Sequence, residues 1–279
     1  MSHAPYTNPL SRAARLQLWI VLSLVILLIT PILFHLLAHD QAAYSVQVSN
    51  ALMRPSASEW FGTDPLGRSQ WNRTLIGTAI SLKTAAGSLA LSLPLGLVFG
   101  AVAGCRAGRW PDRAVSWLIA LLHTVPFFLL VVAMAALVGP GTNLLPWLIG
   151  CVIWAPAARL VRTETIRILE SSYVRAARAA GASPFQLFAR SLFPQITPPA
   201  AVCLFYLFPE IIGIDAILTL FGLGPKPPTP TLGTLIFEGI RRWNSAPWLA
   251  GLPCLLLLLL CLMVHFLADR IAEQTTVED

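Results

Sequence analysis

Apolar residues in this chain come in long unbroken runs, without the alternation of a half-buried strand or the three-and-four spacing of a surface helix. Crossing the ~30 Å hydrocarbon core of a bilayer takes about 20 helical residues at 1.5 Å each. Six runs fall in that range: 16–38, 84–104, 114–138, 144–161, 198–221 and 247–268. The first is longer than the apolar stretch of a secretory signal and lacks a small-residue cleavage site, so it reads as a helix that stays in the chain. The pattern predicts an all-α integral membrane protein with six transmembrane helices.

Composition agrees. Hydrophobic residues make up 56% of the chain and charged residues 11%, against about 25% charged in an average soluble domain; the mean hydropathy is +0.70. A membrane barrel would show short alternating segments, which are absent. Six crossings put both ends on one side. That side receives twelve of the 19 lysines and arginines and the other side seven. Positive charge accumulates inside, so both termini are expected on the cytoplasmic side. The net charge of +6 then follows from topology and anionic lipid headgroups, and no nucleic-acid partner is expected. Cys105, Cys151, Cys203, Cys254 and Cys261 fall in or beside the runs without CxxC spacing, which predicts small buried hydrophobes and no disulfide or metal site.

The connectors carry further expectations. Residues 40–83 are punctuated by Gly, Pro and Asp, which predicts turns leading into an interfacial helix, with Asp64 pairing locally with Arg68. Gly96, Gly100 and Gly104 recur every four residues on one face of the second run and predict close approach by another helix, of this chain or of a neighbour. The "GPGTN" segment, 139–143, reads as an outside turn. The proline-rich stretch "FGLGPKPPTPTLG" predicts a stiff extended loop in its first half, ending at Trp248 at the membrane interface.

The polar interval 162–197 is the most informative. Residues 164–180 contain no Gly or Pro and are rich in alanine, which predicts one helix closed by Gly181 in the left-handed region. Ser183 and Pro184 then supply a cap and a first-turn proline for a second helix that Pro194 stops. So many arginines between two spans place this helix–turn–helix on the cytoplasmic face. Its small residues leave room for a partner to dock, although a connector resting on headgroups has the same composition.

Three separated segments, "FGTDPLGR" at 61–68, "YVRAARAAGAS" at 173–183 and "FGLGPKPPTP" followed by "APW", resemble the C-type permease of bacterial ABC importers for dipeptides, oligopeptides and nickel. The likeness runs over nearly the whole chain. It implies a type I ABC importer transmembrane fold, with a first helix and periplasmic segment over 1–80, a core over 81–272 and a short tail at 273–279. It also implies that a second, B-type permease completes the path and that two ABC ATPases dock inside, while a substrate-binding protein delivers peptides, nickel or metal chelates outside. ATPase coupling would fall to Tyr173, Val174, Arg175, Ala176, Ala177 and Gly181. Arg175 departs from the family, which carries Glu there; Leu232 stands for a usual Trp, and His265 for a usual Asn ahead of Asp269.

No enzyme is expected in the chain itself. Neither Lys83 nor Lys226, the two lysines, follows a glycine as a phosphate-binding loop requires, so ATP and Mg belong to partner subunits and no cofactor is bound here. Charged and titratable groups within the runs suggest a polar path: His123, Glu210 and Asp215. The same Glu210 and His123 would serve a rival, a proton-coupled secondary transporter, although the halves of the chain show no repeat of the kind such folds carry.

Overall fold

The computed structural model describes residues 33, 43–138 and 144–276; most of the first expected span and the 139–143 turn lie outside them. In chain order the helices are α1 (Gln70–Cys105), α2 (Trp110–Thr124), α3 (Phe127–Val138), α4 (Leu145–Ile153), α5 (Ala155–Leu169), α6 (Ser172–Ala179), α7 (Pro184–Leu187), α8 (Phe193–Tyr206), α9 (Phe208–Leu220), α10 (Leu232–Ile240) and α11 (Trp248–Thr276). Among the described residues, Gln70–Cys105, Leu145–Leu169 and Trp248–Asp269 are each long and apolar enough to cross a membrane. Two bent pairs, α2 with α3 at 91° and Pro184–Tyr206 with Phe208–Thr219 at 43°, raise the number to as many as five.

Helix α1 is the post around which the others pack. It has 36 residues, about 54 Å at the helical rise, and begins at Gln70, so no separate helix precedes it between Ala51 and Ser69. A stripe of small residues explains the continuity. Thr74, Thr78, Ser81, Ala85, Ser88 and Ser92 are buried and lead into the buried Gly96, Gly100 and Gly104. Four of the five hydroxyls in the stripe are satisfied within the helix. Those of Thr74, Thr78, Ser88 and Ser92 donate to carbonyls four residues back at 2.7–2.9 Å, which satisfies them within the helix while leaving a narrow face.

The neighbour on that face belongs to this chain. A Cβ on Gly96 would lie 2.9 Å from Ala157 Cβ, one on Gly100 2.6 Å from the Ala158 oxygen, and one on Gly104 2.5 Å from Thr165 Cβ, all on α5. The same device recurs where α4 meets α1: a Cβ on Gly150 would sit 2.9 Å from the Ser88 oxygen, and Ser92 donates to the Gly150 carbonyl at 3.1 Å.

Ahead of α1, residues 43–69 fold as turns fastened by Asp64. Its Oδ1 accepts from the amides of Leu66 and Arg68 at 2.8 and 2.9 Å, and Arg68 Nε donates to Oδ2 at 2.6 Å, the expected local pair. Arg73 of α1, buried and missed in the sequence, lies 3.4 Å from Asp64 and 3.7 Å from Glu238 of α10. Buried charge is tolerated when paired, and this arginine ties the segment to two helices.

Other expectations fail for local reasons. The proline-rich stretch is not extended: Thr229 N–H donates to the Lys226 carbonyl at 3.2 Å, closing a turn. Beyond it, α10 was not foreseen. Thr231 caps it reciprocally with Thr234, a threonine standing where a capping box usually has Glu or Gln. The cysteines are free but not buried: Cys105, Cys151 and Cys254 are exposed, Cys203 and Cys261 half-buried.

Candidate functional site: a helical hairpin and a cavity at three helix breaks

The single helix expected over 164–180 is two. Helix α5 ends at Leu169, and Ser171 takes an extended conformation (φ −66°, ψ 151°) as the residue before α6. Its hydroxyl donates to the Ile168 carbonyl at 2.6 Å, one of the local bonds by which serine competes with helix continuation. The chain therefore turns before the alanine-rich stretch, and α6 becomes a separate short rod.

Gly181 performs its expected part with φ +87°. Gly181 N–H donates to Arg178 and Ala182 N–H to Ala177, both at 3.0 Å, the paired bonds of a left-handed helix ending. Ser183 and Gln186 then cap α7 reciprocally. Pro194 does not stop the second helix. A wider turn over Phe188–Leu192 precedes it, and α8 continues to Tyr206; widening removes the clash and the missing donor that a proline brings to a regular turn.

The hairpin is pinned on one side and open on the other. Val174 is completely buried in an apolar cluster with Val161, Ile168, Leu187, Leu192 and Ile196, so α5, α6 and α8 share one core. Ala177 packs partly on that cluster. Tyr173, Arg175, Ala176 and Gly181 are exposed. Gln195 donates to the Tyr173 hydroxyl, holding that ring to α8.

One more fastening was absent from the sequence reading. Asp112, in the first turn of α2, is buried and receives a forked bond from Arg162 of α5, its Nη2 at 2.8 Å; Gly108 N–H adds a third bond at 2.8 Å. Two parallel bonds from a guanidinium fix geometry as well as charge. The turn "CRAGRWPDR" is thereby a joint between α2 and the helix that carries the hairpin. Its signal was the acidic residue in a first turn otherwise bordered by arginines.

Deeper in the chain, His123 and Glu210 come together. Both line a cavity of about 240 Å³ with Pro126, Val152, Pro156 and Leu207. It sits at three interruptions that the sequence reading passed through as continuous spans. Val125 is extended (φ −98°, ψ 132°), as the residue before a proline prefers, and the chain turns by 91°. Pro209 follows the bend at Leu207, whereas α4 and α5, with Pro156 between them, run on as one span-length helix over Leu145–Leu169. Each proline withdraws an N–H from the carbonyl four residues back: Leu122, Val152 and Phe205 lose that donor, and the first two border the cavity. His123 Nδ1 lies 2.9 Å from the Ile119 carbonyl; a carbonyl only accepts, so Nδ1 carries the hydrogen.

Asp215 is placed elsewhere. It is buried between helices, its Oδ2 3.4 Å from Ser81 Oγ of α1, and the same Oγ lies 3.4 Å from the amide nitrogen of Leu232. That arrangement joins α9, α1 and the start of α10. His265 and Asp269 of α11 meet Tyr206: the two rings lie 5.6 Å apart, and the Tyr206 hydroxyl donates to Asp269.

With this geometry in hand, comparison with known proteins is informative. The family described as binding-protein-dependent transport system inner membrane component matches residues 96–276. The chain is 32% identical over 213 residues to the dipeptide transport system permease protein DppC of Lactococcus lactis subsp. cremoris, covering 76% of this chain and 62% of that one. It is 30% identical over 265 residues to the glutathione transport system permease protein GsiD of Shigella flexneri serotype 5b, covering 94% and 86%. The oligopeptide transport system permease protein OppC of Haemophilus influenzae is 27% identical, with 79% and 70% covered. The matched stretch thus spans less than two thirds of the Lactococcus relative. Among solved structures, a chain from inward-facing conformations of the MetNI methionine ABC transporter has a TM-score of 0.50 at 22% identity, covering 73% of this chain and 93% of that one, a likeness of fold.

Proposed function

The chain belongs to the binding-protein-dependent transport system inner membrane component family, and from that premise we propose that it is one of two permease subunits of an ATP-driven importer for peptides or peptide-like cargo. In this reading it crosses the bacterial inner membrane six times with both termini inside. A B-type permease completes the pathway, two ATPases dock on the hairpin side, and a binding protein delivers cargo outside. ATP and Mg act on the ATPases, and the chain does no covalent chemistry. Peptides are preferred to nickel or metal chelates because the relatives it resembles are named for dipeptide, glutathione and oligopeptide transport.

The observation that carries the reading is the hairpin: α6 is anchored by the wholly buried Val174 and bare on its opposite face. A groove that seats the bare face moves the anchored one. Movement then passes through the shared apolar core to α5 and α8, and through the Arg162–Asp112 fork to α2. Helix α2 ends at the break beside His123, and α8 at the break before Glu210. The coupling residues Tyr173, Val174, Arg175, Ala176, Ala177 and Gly181 thus stand at one end of a rigid train and the cavity at the other. In the cavity, a carboxylate and carbonyls released by prolines suit a cargo ammonium group, and His123 adds a titratable neighbour. Asp215 serves as a joint between helices rather than as part of this path. Alternating access requires that each state hold the cargo with different strength.

The test is uptake of labelled Ala-Ala and of glutathione by cells lacking the chain and by cells in which it is restored with its partners. Restored, vanadate-sensitive accumulation of either probe supports the reading. Accumulation by the chain alone that collapses with a protonophore and ignores vanadate would replace it with proton-coupled transport through Glu210 and His123.

A further inference from the structure

The exposed face of α6 has an unusual make-up. Ser172, Arg175, Ala176 and Ala179 recur at the first, fourth, fifth and eighth positions of the helix, and all four are exposed. At 100° per residue they form one strip, opposite Val174 and Ala177, which face the core. Within that strip every side chain but one is small. Arg175 is the exception, and it forms no ion pair with any described residue. The nearby acidic residues do not neutralise it: Glu164 pairs with Arg167 at 2.8 Å, and Glu170 makes no ion pair with Arg175 or Arg178.

A helix face that enters a groove brings its central side chain out of water, and a guanidinium so placed needs a carboxylate or several acceptors. Arg175 cannot fold back to find one, since its own strip offers only Ser172. We propose that the ATPase serving this chain presents a carboxylate, from Asp or Glu, in the groove that receives α6, placed to take a forked bond from Arg175. The proposal rests on the docking reading above and adds the charge of the partner's groove, which is opposite to what an acidic residue at this position would call for.

The experiment uses the full chain, tagged and co-expressed with its second permease and ATPases, captured in detergent at about 0.05 and about 0.5 M salt, where the screening length falls from over 10 Å to a few ångströms. Arg175→Glu is expected to retain about tenfold less ATPase than the wild type, and Arg175→Lys to retain most of it. Arg175→Gln should retain an intermediate amount that varies less with salt. An ATPase whose groove carboxylate is replaced by lysine should restore capture by Arg175→Glu. Because the side chain is exposed and makes no bond with a described residue, retention of the second permease reports that each variant is folded. Capture by Arg175→Glu equal to wild type, or an Arg175→Gln salt response equal to wild type, overturns the proposal. Ala176→Trp separates this from failure of docking itself. If bulk on the strip abolishes capture while charge reversal does not, α6 docks without a charge pair. If neither the wild type nor any variant holds ATPase, the docking reading falls and the carboxylate with it.

Discussion

The seam between α1 and α5 uses glycine, and the cavity beside His123 and Glu210 uses proline: two helix-breaking residues put to opposite ends. At the seam, Gly96, Gly100 and Gly104 sit in unbroken helix and remove side chains, so that two backbones close to contact. At the cavity, Pro126 and Pro156 in the wall, with Pro209 next to Glu210, keep their side chains and remove backbone donors, so that helices are interrupted and leave space between them. In an apolar solvent association depends on close packing, because burying grease from grease gains little. The seam supplies that packing. The cavity forgoes it, which is tolerable only where irregular backbone lines a polar space. A mutation that alters closeness should therefore act on stability, and one that alters the cavity on transport.

The seam should be the most fragile point. Gly100→Val would set a Cβ 2.6 Å from both the Ala158 oxygen and Val161 Cβ, and neither can retreat without parting the helices. The expected loss is about 3 kcal/mol or more, seen as loss of folded protein from the membrane fraction and a lowered midpoint of thermal aggregation in detergent. Near-normal accumulation of Gly100→Val would break the comparison at its first term.

Next in size is the Arg162–Asp112 fork, which ties α5 to α2. Asp112→Asn keeps shape but removes the charge that Arg162 answers. The Arg162 side chain is 31% exposed and that of Asp112 5%, so water recovers part of the loss; about 2 kcal/mol is expected. The double variant Asp112→Asn with Arg162→Gln should recover part of that loss. A cycle in which the two single changes simply add would remove the fork from the train proposed to carry hairpin motion to α2.

Gly181→Ala sharpens what glycine contributes. At Gly100 the cost is steric and the backbone is helical. At Gly181 no atom lies within 4 Å of the added Cβ, and the cost is the left-handed φ of +87°, about 1 kcal/mol. The change should loosen α6 locally, detected as faster amide exchange in 172–182, while the global midpoint stays put. Gly181→Asn, which tolerates that region better, should be milder.

Long apolar runs made the helical class and most of the spans legible, and Gly181 with Ser183–Pro184 made the hairpin legible, because each is a local signal with one physical meaning. What escaped depended on partners distant in sequence. Arg162 and Asp112 are 50 residues apart, and nothing in either neighbourhood announces the other. The stripe from Thr74 to Ser92 was overlooked because hydroxyl residues read as polar until their bonds to the preceding turn are counted. Prolines were the harder case. Pro126 sits at a right-angled break, Pro156 within the single span Leu145–Leu169, and Pro194 is absorbed by a widened turn; the residue type withdraws a donor in each, and packing decides how far the chain bends.

The smallest expected effect on stability is the one that tests the cavity. Glu210 is exposed in this chain and forms no ion pair with a described residue, so Glu210→Gln removes a charge that no described partner answers. Stability should change by no more than about 0.5 kcal/mol, as for substitutions outside packed or paired sites. Uptake should fall several-fold if the carboxylate meets a cargo ammonium, and Glu210→Asp should fall less. A peptide probe whose amino terminus is acetylated sharpens the result: it should lose the advantage of Glu over Gln at this position, because the group the carboxylate answers is gone. Equal uptake of the free and acetylated probes by both forms would leave Glu210 outside the path and make the cavity a product of helix bending alone. A loss of stability comparable to that of Gly100→Val would instead mean that this opening is packed as tightly as the seam.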